Sequence, residues 1–168
     1  MGYNGGMATP SPQPIGPAEL RHRRSVALRT ARALGFVGSV EYRHVYSQSG
    51  GAQYGRGAEA GTDLLAVYAE AFDRDADPED FSLSAIIAHE RGHQLIARHP
   101  RLSVSLASAS PVAQEVLASL LGALVLKPGP DQDTLREKAA FDLLSQGATA
   151  ETAARVIDNL WEQLRRLL

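Results

Sequence analysis

The run Ile86-Ile87-Ala88-His89-Glu90-Arg91-Gly92-His93-Gln94-Leu95-Ile96-Ala97 constrains this chain more than any other stretch. Its apolar residues follow helical spacing, and its two histidines stand four positions apart. On an α-helix that interval is about 6 Å of rise and about 40° of rotation, so both imidazoles leave one face and can converge on one ion. Glu90 projects beside the first ring, where its carboxylate can take a proton from a water held by that ion. His89 and His93 are therefore expected metal ligands, and Glu90 the expected general base.

Composition narrows the ion and the class. The sequence has no cysteine, which removes disulfides, thiolate ligands and a thiol nucleophile together. Zn2+ held by imidazole and carboxylate is the expected cofactor, in catalytic rather than closed structural coordination. A net charge of −2 gives no reason to expect nucleic acid as a partner. The arginines crowding the first helix read as a solvated face. No apolar run approaches the roughly 18 residues needed to span a bilayer, and glycine, proline and serine fill the place of a signal-peptide core. No membrane association and a cytoplasmic location are the expectations.

A chain of 168 residues with this apolar fraction supports one core. Residues 1–16, rich in proline and glycine, form an expected flexible leader before a single domain over residues 17–168. Pro17 opens a helix that Gly35 ends. The alternating stretch Ser39–Tyr46, then Ala52–Gly57, then Asp63–Glu70 read as three short strands. The acidic stretch Asp73–Asp80 fails as a calcium loop, because Pro78 and Ser84 stand where glycine and glutamate are required; it reads as a turn with acids before a helix. The motif helix runs from near Phe81 to about Arg98, where Pro100 stops it. Pro111 opens the next, through about Leu126. Asp133 is expected to cap a further helix ending near Gly147, and Thr149 the last. The fold class is α+β: an N-terminal helix, a small three-stranded sheet, the motif helix, a glutamate-bearing helix and two C-terminal helices.

Catalytic zinc usually has three protein ligands, and two residues compete for the third place. His99 has the spacing of the metzincin pattern, but Ile96 occupies that pattern's glycine position and no methionine follows Met7. If the helix continues, His99 points about 240° away from His93 and about 9 Å further along. Glu115 is the stronger candidate: it lies in the otherwise apolar run Pro111–Leu126, where a cation relieves the cost of a buried carboxylate. Alternatively, Gln114, Glu115 and Ser119 make a polar strip on an exposed edge.

His89-Glu90-x-Gly92-His93, followed by His99 and by Glu115-x-x-Ala118 with Pro128 ten residues beyond that alanine, resembles the ImmA/IrrE-type zinc metallopeptidases, which are gluzincins of the zincin group. The similarity spans about residues 17–130. It implies a zincin-like fold with His89, His93 and Glu115 on zinc and Glu90 as base. Arg91, Leu121 and Lys127 depart from the family's usual residues, and no counterpart of the family's helix-turn-helix or regulatory domains is expected within residues 1–168.

The expected chemistry is peptide-bond hydrolysis by a zinc-activated water, on a peptide or protein substrate. The alternative is a silent or latent zincin-like module serving in interaction or structure. An extended substrate could add to the strand Asp63–Glu70 if that strand edges the cleft. A donor for the oxyanion is also needed; Tyr42, His44, Tyr46, Tyr54 and Tyr68 are the candidates, with nothing to select among them.

Overall fold

The computed structural model describes residues 11–47, 50–73, 81–106 and 108–168, and shows an α+β arrangement of six helices and one mixed sheet. Residues 1–10 of the expected leader and residues 74–80 of the expected acidic turn lie outside the described residues. Within the remainder of the leader, Ile15 packs on the core and the Gln13 carbonyl meets His44 Nε2 at 2.7 Å.

Helix α1 (Pro17–Ala33) starts with proline in its first turn, where a missing N–H costs nothing. It buries Ala27 and Ala31, and Gly35 carries the chain away at φ 76°. Three strands follow: β1 (Ser39–Arg43), β2 (Ala52–Gly55) and β3 (Leu64–Tyr68). Each is shorter than its alternating stretch, because turns take over at the ends. Residues Ala60–Thr62 and Ala69–Ala71 form single 3-10 turns on either side of β3.

The sheet order is β1-β3-β2, with β1 parallel and β2 antiparallel to β3. This corrects one expectation. The stretch Asp63–Glu70 supplies the central strand, hydrogen-bonded on both sides, and cannot receive a substrate strand. Its residues explain the placement, since Leu65, Ala66 and Val67 are all buried, as in a strand covered on both faces. The edge nearer the motif helix is β2.

The motif helix α2 (Leu83–Arg98) is capped by Ser82, whose hydroxyl accepts from Ala85 N at 3.0 Å. Pro100 ends it, as expected, yet also opens an unforeseen short helix α3 (Pro100–Ser105), because proline breaks a helix interior but suits a first turn. Helix α4 (Pro111–Val125) follows the Ser110 cap. Helix α5 (Pro130–Ser145) begins before its expected start: Gly129 is the cap residue, and Asp133 sits in the first turn with Asp131, where carboxylates complement the helix dipole. Thr149 caps α6 (Ala150–Arg165), accepting from Thr152 N.

Apolar clusters pack on α2 from both sides, and two of them are the larger. One, around Phe36, Leu65, Val67, Ile86 and Ile87, joins α1 and the sheet to α2. The other, around Ile96, Leu117, Leu120, Leu121, Ile157 and Leu164, joins α2 to α4 and α6. Among the described residues no helix is long and apolar enough to cross a membrane.

Candidate metal centre

The distance between α2 and α4 is set by their smallest residues. A Cβ on Gly92 would stand 2.0 Å from the Ala118 carbonyl oxygen, and one on Gly122 would stand 2.5 Å from that of Ala88. Ala88 and Gly92 on one helix therefore face Ala118 and Gly122 on the other, each pair one turn apart. The absence of side-chain bulk lets the two backbones touch. That approach carries Glu115 and Ser119, one turn apart on α4, over the histidines of α2.

Three ligand side chains then converge. His89 Nε2 lies 3.1 Å from Glu115 Oε2 and 3.2 Å from His93 Nε2, and His93 Nε2 lies 3.3 Å from Glu115 Oε1. The imidazole planes are nearly perpendicular, at 87°. On a tetrahedral zinc ion with bonds of about 2.0–2.1 Å, ligand atoms stand about 3.3–3.4 Å apart. The observed separations are close to that spacing, so a His-His-Glu group able to hold a metal ion exists here.

Outer contacts orient the group. Ser119 is fully buried, and its hydroxyl meets His89 Nδ1 at 3.1 Å. That contact fixes the ring with Nε2 toward the shared point, as ligating histidines require. The polar strip considered from the sequence is thus split. Glu115 keeps 44% of its side chain exposed, Ser119 faces inward, and Gln114 turns away to donate to the Ala109 carbonyl. His99 is not in the converging group; it ends α2, with its Nδ1 buried and unpartnered.

Glu90 faces the sheet edge. Its Oε2 accepts from Tyr54 N at 2.7 Å. Along β2 the phase of the ladder, set by Tyr68 N donating to Gly51 O, turns the main-chain groups of Ala52 and Tyr54 away from β3. The Tyr54 N–H is thus an edge donor, and Glu90 takes it. Of the oxyanion-donor candidates, Tyr42, His44 and Tyr54 engage elsewhere: Arg23 donates to the Tyr42 hydroxyl, which also pairs with His44, while the Tyr54 hydroxyl donates to Asp63.

The electrostatics match this geometry. Burial pushes the Glu90 carboxyl above the ordinary glutamate range, against the opposing charges of His89 and His93. Hydrogen bonds from His89 and His93 hold Glu115 well below that range. Burial alone would lower His93, but its bond to Glu115 and the charges of Glu90 and Glu115 raise it. No protein-family model, curated protein or solved structure matches this chain.

A second polar cluster, which sequence reasoning missed, anchors the far end of α2. Asp63 is completely buried. Arg98 donates to both its oxygens, Gln94 Nε2 and the Tyr54 hydroxyl donate to Oδ2, and Gly57 N donates to Oδ1. Burial would raise this carboxyl, yet these donors bring it down to about 2. The one signal in the sequence is that Gln94 and Arg98 stand one turn apart on the motif helix.

Proposed function

We propose that this chain is a zinc-dependent metallopeptidase of the gluzincin type, with His89, His93 and Glu115 as ligands and Glu90 as general base. The observation that carries the reading is the convergence of the His89, His93 and Glu115 side chains, with polar atoms 3.1–3.3 Å apart, on one helix pair, and a half-buried carboxyl beside them. A closed structural site has no use for such a carboxyl, whereas hydrolysis does.

When bound, a zinc ion supplies Lewis acidity toward a carbonyl and lowers the pKa of a nearby water. The chain's residues do the rest. Glu90, steered by the Tyr54 N–H, takes one proton from the attacking water as the new C–O bond forms. It returns that proton to the leaving nitrogen as the C–N bond breaks. A carboxyl raised by burial suits both halves of that transfer, since its proton affinity lies nearer neutrality. Ser119 holds the His89 ring in register throughout. An extended peptide would dock along the free edge of β2, pairing with the outward main-chain groups of Ala52.

Glu90→Gln tests the reading. It keeps the size of the side chain and its ability to accept from Tyr54 N, but removes the base. Zinc affinity by calorimetry should stay within about threefold, while casein hydrolysis should fall at least about a hundredfold. Full activity in Glu90→Gln would reject the role. Wild-type protein that binds zinc but hydrolyses neither casein nor short peptides would favour the silent-module alternative.

A further inference from the structure

Helix α5 brings one cation against the metal group. Lys138 has only 16% of its side chain exposed, with Nζ 3.0 Å from Asp142 Oδ2 and 4.0 Å from Glu115 Oε2. A lysine one turn from an aspartate on an exposed helix face gains little from the pair and usually keeps its head in water. This one is turned inward instead and bracketed by two acids, one of them Glu115 of the converging group.

Its position makes little sense for metal binding alone. A fixed positive charge beside Glu115 repels a divalent cation and draws on the same carboxylate. The placement is useful if the bound ligand brings negative charge of its own. A peptide at this site does so in two ways: its carbonyl oxygen gains charge when attacked, and a free C-terminus carries a carboxylate. Among the tyrosines considered as oxyanion donors, Tyr42 and Tyr54 are committed elsewhere, whereas Lys138 already lies beside the metal group.

We infer that Lys138 is the anion-binding residue of this site, its ammonium taking a negatively charged oxygen of the peptide held at His89, His93 and Glu115. Asp142 is the positioning residue that keeps the ammonium beside Glu115. This inference rests on the metallopeptidase reading and adds to it a preference for ligands with an anionic oxygen next to the scissile bond.

The test compares wild type, Lys138→Met and Lys138→Arg by calorimetry, first with zinc and then, zinc-loaded, with defined probes. One probe is an N-acetylated phosphinic dipeptide amide, whose only charge lies at its tetrahedral phosphorus. The other is N-acetyl-Gly-Leu as the free acid, set against its amide. Lys138→Met should keep or gain zinc affinity, yet bind an anionic probe about tenfold to a hundredfold more weakly, the range for losing a charge-assisted hydrogen bond. Loss on the phosphinic amide assigns the ammonium to the reacting oxygen; loss of the acid-over-amide preference assigns it to the C-terminal carboxylate. Lys138→Arg should retain most of the affinity.

Zinc affinity that holds or rises while probe affinity falls separates this role from a structural one, in which both affinities would fall together and the inference would be overturned. Unchanged binding of both probes in Lys138→Met, or no binding of either by zinc-loaded wild type, also overturns it while leaving the metal site standing. Wild-type protein that takes up no zinc overturns the metallopeptidase reading itself.

Discussion

The middle and the C-terminal end of α2 are fastened by opposite means. Toward α4, the contact is bare backbone on backbone: Gly92 against Ala118 and Gly122 against Ala88, with no room for a methyl group. Toward the sheet, the contact is a buried carboxylate, Asp63, satisfied by Arg98, Gln94, Tyr54 and Gly57. The first interface determines how near Glu115 comes to the histidines. The second holds the helix to the β2–β3 connection but touches no ligand. Close packing has no adjustable partner, so it suits a site that must hold distances to a few tenths of an ångström. A charged network tolerates small movements and adds specificity of pairing, but it carries a desolvation cost.

The contrast makes separable predictions. The largest effect is expected at the bare interface. Gly92→Ala places a carbon against main-chain atoms that cannot rotate away, and should destabilise the protein by about 3 kcal/mol. It should also lower zinc affinity, because α4 must retreat and take Glu115 with it. Urea denaturation and zinc calorimetry on the same sample check both; a stable variant with unchanged zinc affinity would break the assignment of distance control to this contact.

Asp63→Asn comes next. It removes the charge that Arg98 pairs with, and since Arg98 keeps 20% of its side chain exposed, water offsets part of the loss. A destabilisation of about 2 kcal/mol is expected, with zinc affinity changed less than about threefold. The pH dependence has a definite sign. Asp63 titrates at about 2 in the folded protein and at about 3.9 when unfolded. Its contribution is therefore complete above about pH 4 and fades as pH falls toward 2. The stability gap between wild type and Asp63→Asn should narrow through that window in urea titrations; a gap independent of pH would rule out the ionised carboxylate as its source.

Ser119→Ala is the smallest effect and the mirror image of the second. Removing the hydroxyl that orients His89 should weaken zinc binding about tenfold, or about 1.4 kcal/mol, with little change in the urea midpoint. If stability fell and zinc affinity did not, Ser119 would belong to the core rather than to the site.

Much of this was readable from local pattern. The ends of α2, α4 and α6 follow from serine, threonine and proline at positions where a helix start needs a side-chain acceptor or a preset φ. His89, His93 and Glu115 stood out as polar residues of fixed chemistry in apolar helical runs, and the structure brings them together. What was not readable depends on pairing between distant segments. Alternation marks a strand without saying which neighbour it meets, so the central place of β3 and the edge position of β2 were hidden. The close approach of Gly122 to Ala88 likewise depends on which helices pair. Lys138 and Asp63 resembled ordinary charged residues, because burial and partner choice come from tertiary contacts.

The central claim, that His89, His93 and Glu115 act together on one zinc ion, is tested most directly by zinc calorimetry at pH 7.5 on wild type and Glu115→Ala. Wild type should bind one equivalent, and Glu115→Ala should bind at least about a hundredfold more weakly, as loss of one of three protein ligands requires. Equal affinity in the two proteins would contradict the account.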